Sequence, residues 1–233
     1  MPGRFYRNVL LTCVMAVLVA SCGKQSERAR AARAAQTDIP PTLQKIAQRA
    51  EAIIAIAPTG DWPRIYAYSR DIKDAWLDYK HPTVSTWSAR FRPPGAIFVQ
   101  ELDAAVAALY DAGAARDPTR TMKAANDISA AALDLFEYYH PTDGPDMRRL
   151  AVLQRRVLID SAAGDLNSAS KTLSNLDQMW QRVRPSVETR TDAEVVQALQ
   201  DNIAAQRAAL ATGDRAALTA SAQDTLSLID QMR

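Results

Sequence analysis

Cysteine, glycine and histidine are all scarce in this chain: its 233 residues include two cysteines, eight glycines and two histidines. No Gly-rich phosphate loop, no Gly-x-Ser-x-Gly elbow and no His-Glu-x-x-His helix is present, so the usual frameworks for nucleotide binding, serine hydrolysis and zinc proteolysis are missing. The expectation is a protein that is not an enzyme and needs no cofactor. Long apolar runs are lacking too. The longest largely apolar stretch, residues 9–20, has about twelve residues, whereas a helix that spans a bilayer needs roughly twenty.

That short run has a different meaning. Arg4 and Arg7 precede it with no acid, and small residues follow it, which is the layout of a leader that is cut away. Its end, Val19-Ala20-Ser21-Cys22, resembles the lipobox of bacterial lipoproteins, in which an aliphatic residue and two small ones precede a cysteine. The resemblance implies that residues 1–21 are removed, that Cys22 is lipidated, with acyl chains of the palmitate kind, and that the protein is held to a membrane without spanning it. Gly23 follows the cysteine where an Asp would imply retention at the inner membrane, so the expected address is the periplasmic face of the outer membrane, with the inner membrane as the other choice.

Maturation also takes Cys13, so no disulfide and no cysteine-ligated metal is expected in the body. The formal net charge of +2 falls to zero once Arg4 and Arg7 leave, and nothing reads as nucleic-acid binding. Residues 22–41, rich in Ala, Ser, Gln and basic side chains and closed by Pro40-Pro41, read as the lipidated end and a flexible tether. Residues 42–233 read as one helical-hairpin domain.

Within that domain a junction recurs at Gly60-Asp61, Arg116-Asp117, Gly164-Asp165 and Gly213-Asp214. Glycine closes a helix by taking the left-handed conformation, and aspartate opens the next by accepting from its free N–H groups. Between junctions apolar residues return at helical spacing, as in Leu43, Ile46, Ala50 and Ile53, or Val195, Leu199, Ile203 and Leu210. The last pair of helices opens with what reads as a capping box, Thr191-x-x-Glu194. The spacing predicts an all-α fold of about eight helices in four antiparallel hairpins, either a solenoid-like stack or paired four-helix bundles. The hairpins resemble tetratricopeptide units in architecture alone, because the period is too long.

Both histidines sit in one local pattern, acid-Tyr-x-His-Pro-Thr, as Tyr79 with His81 and Tyr138 with His140; Arg184-Pro185 takes the corresponding place in the third hairpin. If the hairpins stack in register, His81, His140 and Arg184 share an edge and could hold a transition metal or an anion. The plainer reading is that a cationic group before a proline caps the last carbonyls of a helix. Trp87, Arg90, Phe91 and Arg92, in a long connection, are the candidate partner-binding residues. The sequence therefore points to a lipoprotein acting as a helical scaffold for a protein or peptide partner; the alternative is a small-ligand or metal carrier using His81 and His140.

Overall fold

Four times the chain reverses on a left-handed residue followed by an aspartate. Gly60, Arg116, Gly164 and Gly213 have φ of 70°, 50°, 77° and 71°. The carboxylates of Asp61, Asp117, Asp165 and Asp214 accept from the backbone N–H three residues on, at 3.3, 2.9, 3.0 and 3.0 Å. At the last three junctions the aspartate N–H also reaches back to the carbonyls of Ala112, Asp160 and Ala209, which satisfies groups left open at the helix end. The first junction differs because Pro58 sits in a short 3-10 turn, Ala57–Thr59. Arg116 is the one left-handed residue with a Cβ among the described residues, a conformation that costs an L-residue about 1 kcal/mol or more. Arg116→Gly is therefore expected to raise the unfolding free energy by up to about 1 kcal/mol, read from urea melts, since unfolded-state entropy offsets part of the relief.

The computed structural model describes residues 39–81, 96–139 and 145–232. Eight helices occupy them: α1 Pro41–Ile56, α2 Trp62–Lys80, α3 Ala96–Ala114, α4 Pro118–Tyr139, α5 Pro145–Ala162, α6 Leu166–Val187, α7 Ala193–Thr212 and α8 Arg215–Gln231. No strand occurs among the described residues. Helix α1 packs on α2 and α4, and α3 packs on α4 and α2, which closes a four-helix ring. Helices α5 to α8 close a second ring by the same pairings, and α4 lies against α5 to join the two. Of the two arrangements expected from the sequence, the pairing takes the form of two bundles. Each has its own core, around Ile46, Ile72, Leu109 and Ile128 in one and Leu150, Leu176, Leu199 and Ile229 in the other. Each such buried side chain contributes about 1.5–3 kcal/mol.

The rings are copies of one pattern. An offset of 104 residues carries Pro41, Ile46, Ile53, Gly60, Asp61, Ile72 and Trp76 onto Pro145, Leu150, Val157, Gly164, Asp165, Leu176 and Trp180. An offset of 97 carries Leu102, Val106, Ala112, Asp117, Ala125 and Ala132 onto Leu199, Ile203, Ala209, Asp214, Ala222 and Ile229. Every core residue in these lists is buried, and the four helix starts coincide under the same offsets. The repeating unit is thus the bundle, built from two hairpins.

The copies exchange polar and apolar residues at several buried positions, and at one level three of them meet. Ala50, Leu109 and Ile128, fully buried in the first bundle, correspond to Gln154, Gln206 and Thr225, fully buried in the second. There the Gln154 amide donates to Gln206 Oε1 at 2.9 Å, and the Gln206 amide donates to Thr225 Oγ1 at 2.9 Å. A polar layer replaces an apolar one without leaving these groups unbonded.

Three local expectations need correction. Pro185 does not end its helix: α6 runs on through it to Val187, whose burial in the second core rewards the extra turn. Thr191 is not the cap of α7, which begins at Ala193 after Asp192, and Asp192 makes no side-chain cap bond. Val195 is only half-buried, and Val196 takes the core position.

Candidate functional site

The two histidine-bearing segments end α2 and α4, which run in the same direction within the first ring. Across that end the Tyr79 and Tyr139 hydroxyls meet at 2.9 Å. Tyr79 is buried and stacks on Trp76, with centroids 5.4 Å apart and planes 15° from parallel. Tyr138, the tyrosine expected to match Tyr79, stands beside Tyr139 in the last turn of α4. His81 closes α2, is exposed, and gives its backbone N–H to the Leu77 carbonyl at 2.9 Å. His140, Cys22, Trp87, Arg90, Phe91 and Arg92 lie outside the described residues. Among the described residues no three His, Cys, Asp or Glu side chains gather as metal ligands.

Arg184 does not belong to the histidine row. The 104-residue offset matches it to Lys80, and the two cations do the same work. Lys80 Nζ lies 2.6 Å from Asp103 Oδ1 on α3, and Arg184 Nη1 donates to Gln200 Oε1, the counterpart of Asp103, at 3.3 Å. Arg184 also pairs with Glu188 at 3.2 Å. Asp103 accepts in addition from the Trp76 indole at 2.6 Å. Burial alone would push its carboxyl up, but the Lys80 and Trp76 hydrogen bonds and the Lys80 charge together hold it below its ordinary value. In the second bundle Arg184 occupies the Gln200 oxygen, and the buried Trp180 indole N–H has no partner among the described residues. These residues tie helices together.

The space for a ligand lies elsewhere, along the seam where the bundles meet. Acids on α4 face bases on α5: Asp134 and Glu137 hold Arg149 at 2.7 and 2.8 Å, and Asp127 holds Arg156. Arg155 reaches Glu51 on α1 at 3.1 Å, and Asn126 donates to the Val152 carbonyl at 3.1 Å. Two clefts flank this seam. One, of about 280 Å3, lies between α1, α4 and α5; Ala47, Leu133, Phe136 and Val152 supply apolar wall, and Gln44, Gln48, Glu51, Ser129 and Arg148 supply polar groups. The Arg148 guanidinium sits 5.8 Å from the centre of the Phe136 ring. The other, of about 510 Å3, is shared by α4, α5 and α6 and is lined by Arg149, Leu153, Asn175, Gln178, Met179 and Arg182. An apolar wall with convergent polar groups suits a peptide side chain with its backbone or a terminal carboxylate. None of the residues lining the clefts was singled out from the sequence as part of a site, because each lining comes from three helices and carries no linear motif.

No helix among the described residues is long and apolar enough to cross a membrane. No protein-family model, curated protein or solved structure matches the chain.

Proposed function

We propose that this protein is a lipoprotein held by lipidated Cys22 to the outer membrane, facing the periplasm, whose two bundles form a non-catalytic binding module for a protein or peptide partner. The leader with its lipobox supports the address. The observation that carries the binding role is the cleft between α1, α4 and α5: it is open, half apolar, and edged by the exposed Arg148 and by Gln44 and Gln48. Its walls come from both bundles and are fixed by the ion pairs of the seam, so the site is formed before a partner arrives, which reduces the ordering cost of binding.

The test uses a photoreactive residue in place of Gln48, with Gln197, exposed on α7, as the control position. In intact cells the first should give a discrete covalent adduct that the second lacks, and Arg148→Glu should weaken it at least about tenfold if the cationic edge faces an acidic group. Equal labelling from both positions would rule out the cleft.

The hydrogen bond between Tyr79 and Tyr139 favours examining the carrier reading as well, because it draws the ends of α2 and α4 together. Zinc and copper need nitrogens pointing at a common centre about 2.0–2.1 Å away. Calorimetric titration with either metal is expected to give the same weak heats for wild type and for the His81→Ala, His140→Ala double variant. Each single change should cost at most about 1 kcal/mol of helix-end stabilisation. A strong heat present in the wild type and lost in the double variant would establish a carrier instead.

A further inference from the structure

Duplication supplies an internal control for the surface as well as the core. Among the described residues, the large apolar side chains left exposed are Tyr66 (40%), Leu77 (42%), Ile97 (61%) and Tyr110 (37%), all on α2 and α3. Their counterparts on α6 and α7 are Ser170, Gln181, Glu194 and Arg207, also exposed. The same bundle is therefore built with polar groups at all four places. One contact between helices changes in step. Arg207 pairs with Asp177 in the second bundle, whereas at the matching place Lys73 Nζ lies 5.5 Å from the centre of the Tyr110 ring.

Tyr66, Arg70, Lys73, Asp74 and Leu77 follow one another at helical spacing along α2, with Tyr110 beside them. The strip is preset: the Tyr66 hydroxyl donates to the Gly113 carbonyl at 3.0 Å, and its ring lies against Gly113, where a Cβ would come within 3.5 Å of it. Arg70 and Asp74 both act electrostatically on Tyr110, yet neither makes an ion pair or hydrogen bond among the described residues. A strip of one sign would call for a partner of the other sign. This one carries both signs.

We propose that the strip is a dimer interface whose occupant is a second copy of the chain. Two α2 helices laid antiparallel about a two-fold axis at the level of Ile72 set Arg70 of each copy opposite Asp74 of the other. The same axis brings Tyr66 of each copy within one residue rise, about 1.5 Å, of Leu77 of the other. The apolar contact and the ion pair then each form twice, as an interface that uses the same patch on each copy requires. The second bundle cannot mimic this, because Ser170, Ser174, Gln178 and Gln181 take the places of Tyr66, Arg70, Asp74 and Leu77.

Sedimentation equilibrium of the full chain, purified from membranes in detergent, tests the arrangement. The wild type should dimerise, and the triple variant Tyr66→Ser, Leu77→Gln, Tyr110→Arg, which borrows residues the same fold already accepts, should be monomeric with unchanged helical circular dichroism. Arg70→Asp or Asp74→Arg alone should weaken the dimer at least about tenfold, since each sets like charges face to face twice. The two reversals together should restore it. A wild type that is monomeric at every loading concentration would leave the face to a different protein or to the bilayer and overturn the proposal. So would a triple variant that dimerises as tightly as wild type, or a double reversal that restores nothing.

Discussion

Gln206→Ala is expected to cost about 3 kcal/mol of stability, lowering the melting temperature by roughly 6–12 °C for a chain of this size. Gln206 is fully buried and links Gln154 to Thr225, so truncation removes three hydrogen bonds and strands groups on both neighbours, each at about 1–3 kcal/mol when left unsatisfied. Replacing the whole layer should behave differently. Gln154→Ala, Gln206→Leu and Thr225→Ile together install the residues that the first bundle already packs at those positions, Ala50, Leu109 and Ile128, at about the same total volume. That triple variant should be as stable as wild type or more so, because no polar group is left behind to be desolvated. Thermal melts followed by circular dichroism separate the two cases. A single variant that melts with wild type, or a triple variant that melts well below Gln206→Ala, would refute the pairing of these layers.

The second large effect concerns the anchor. Cys22→Ala should abolish lipid attachment and move the protein from the membrane pellet to the soluble fraction, or leave it as uncleaved precursor. Several acyl chains on one residue give stable anchoring at about 0.8 kcal/mol for each buried methylene, so loss of all of them should be close to all-or-none. The body should keep its helical signal, because Cys22 stands well before Pro41, where α1 begins. Fractionation with unchanged membrane retention and normal leader cleavage would defeat the lipoprotein reading.

Helices and turns were legible because their signals are local. A left-handed residue followed by aspartate reports a helix end and the next start within two positions, and all four such places reverse the chain. Apolar spacing likewise found Ile46, Leu102, Leu176 and Ile229 in their cores. Which helices close on which is set by contacts far apart in sequence, and nearly even junction spacing reads equally well as a row of hairpins. Distance from the tryptophans would have given the true register: Trp76 to Lys80 equals Trp180 to Arg184, whereas the matching prolines drew Arg184 towards His81. Gln154 and Gln206 escaped notice because glutamine at a core period reads as surface until its partners are known. The seam cleft was illegible for the same reason as the bundle pairing, since Gln48, Phe136 and Arg148 meet only in three dimensions.

The intact mass of the wild-type protein extracted from its own membranes, with fragmentation of its N-terminal peptide, decides whether the helical module is carried on a lipidated cysteine. The mature chain should begin at Cys22 and be heavier than residues 22–233 by a diacylglyceryl group and an amide-linked acyl chain, with all the added mass on that cysteine. A mature chain that begins at any other residue, or a Cys22 that carries a free thiol, would contradict it.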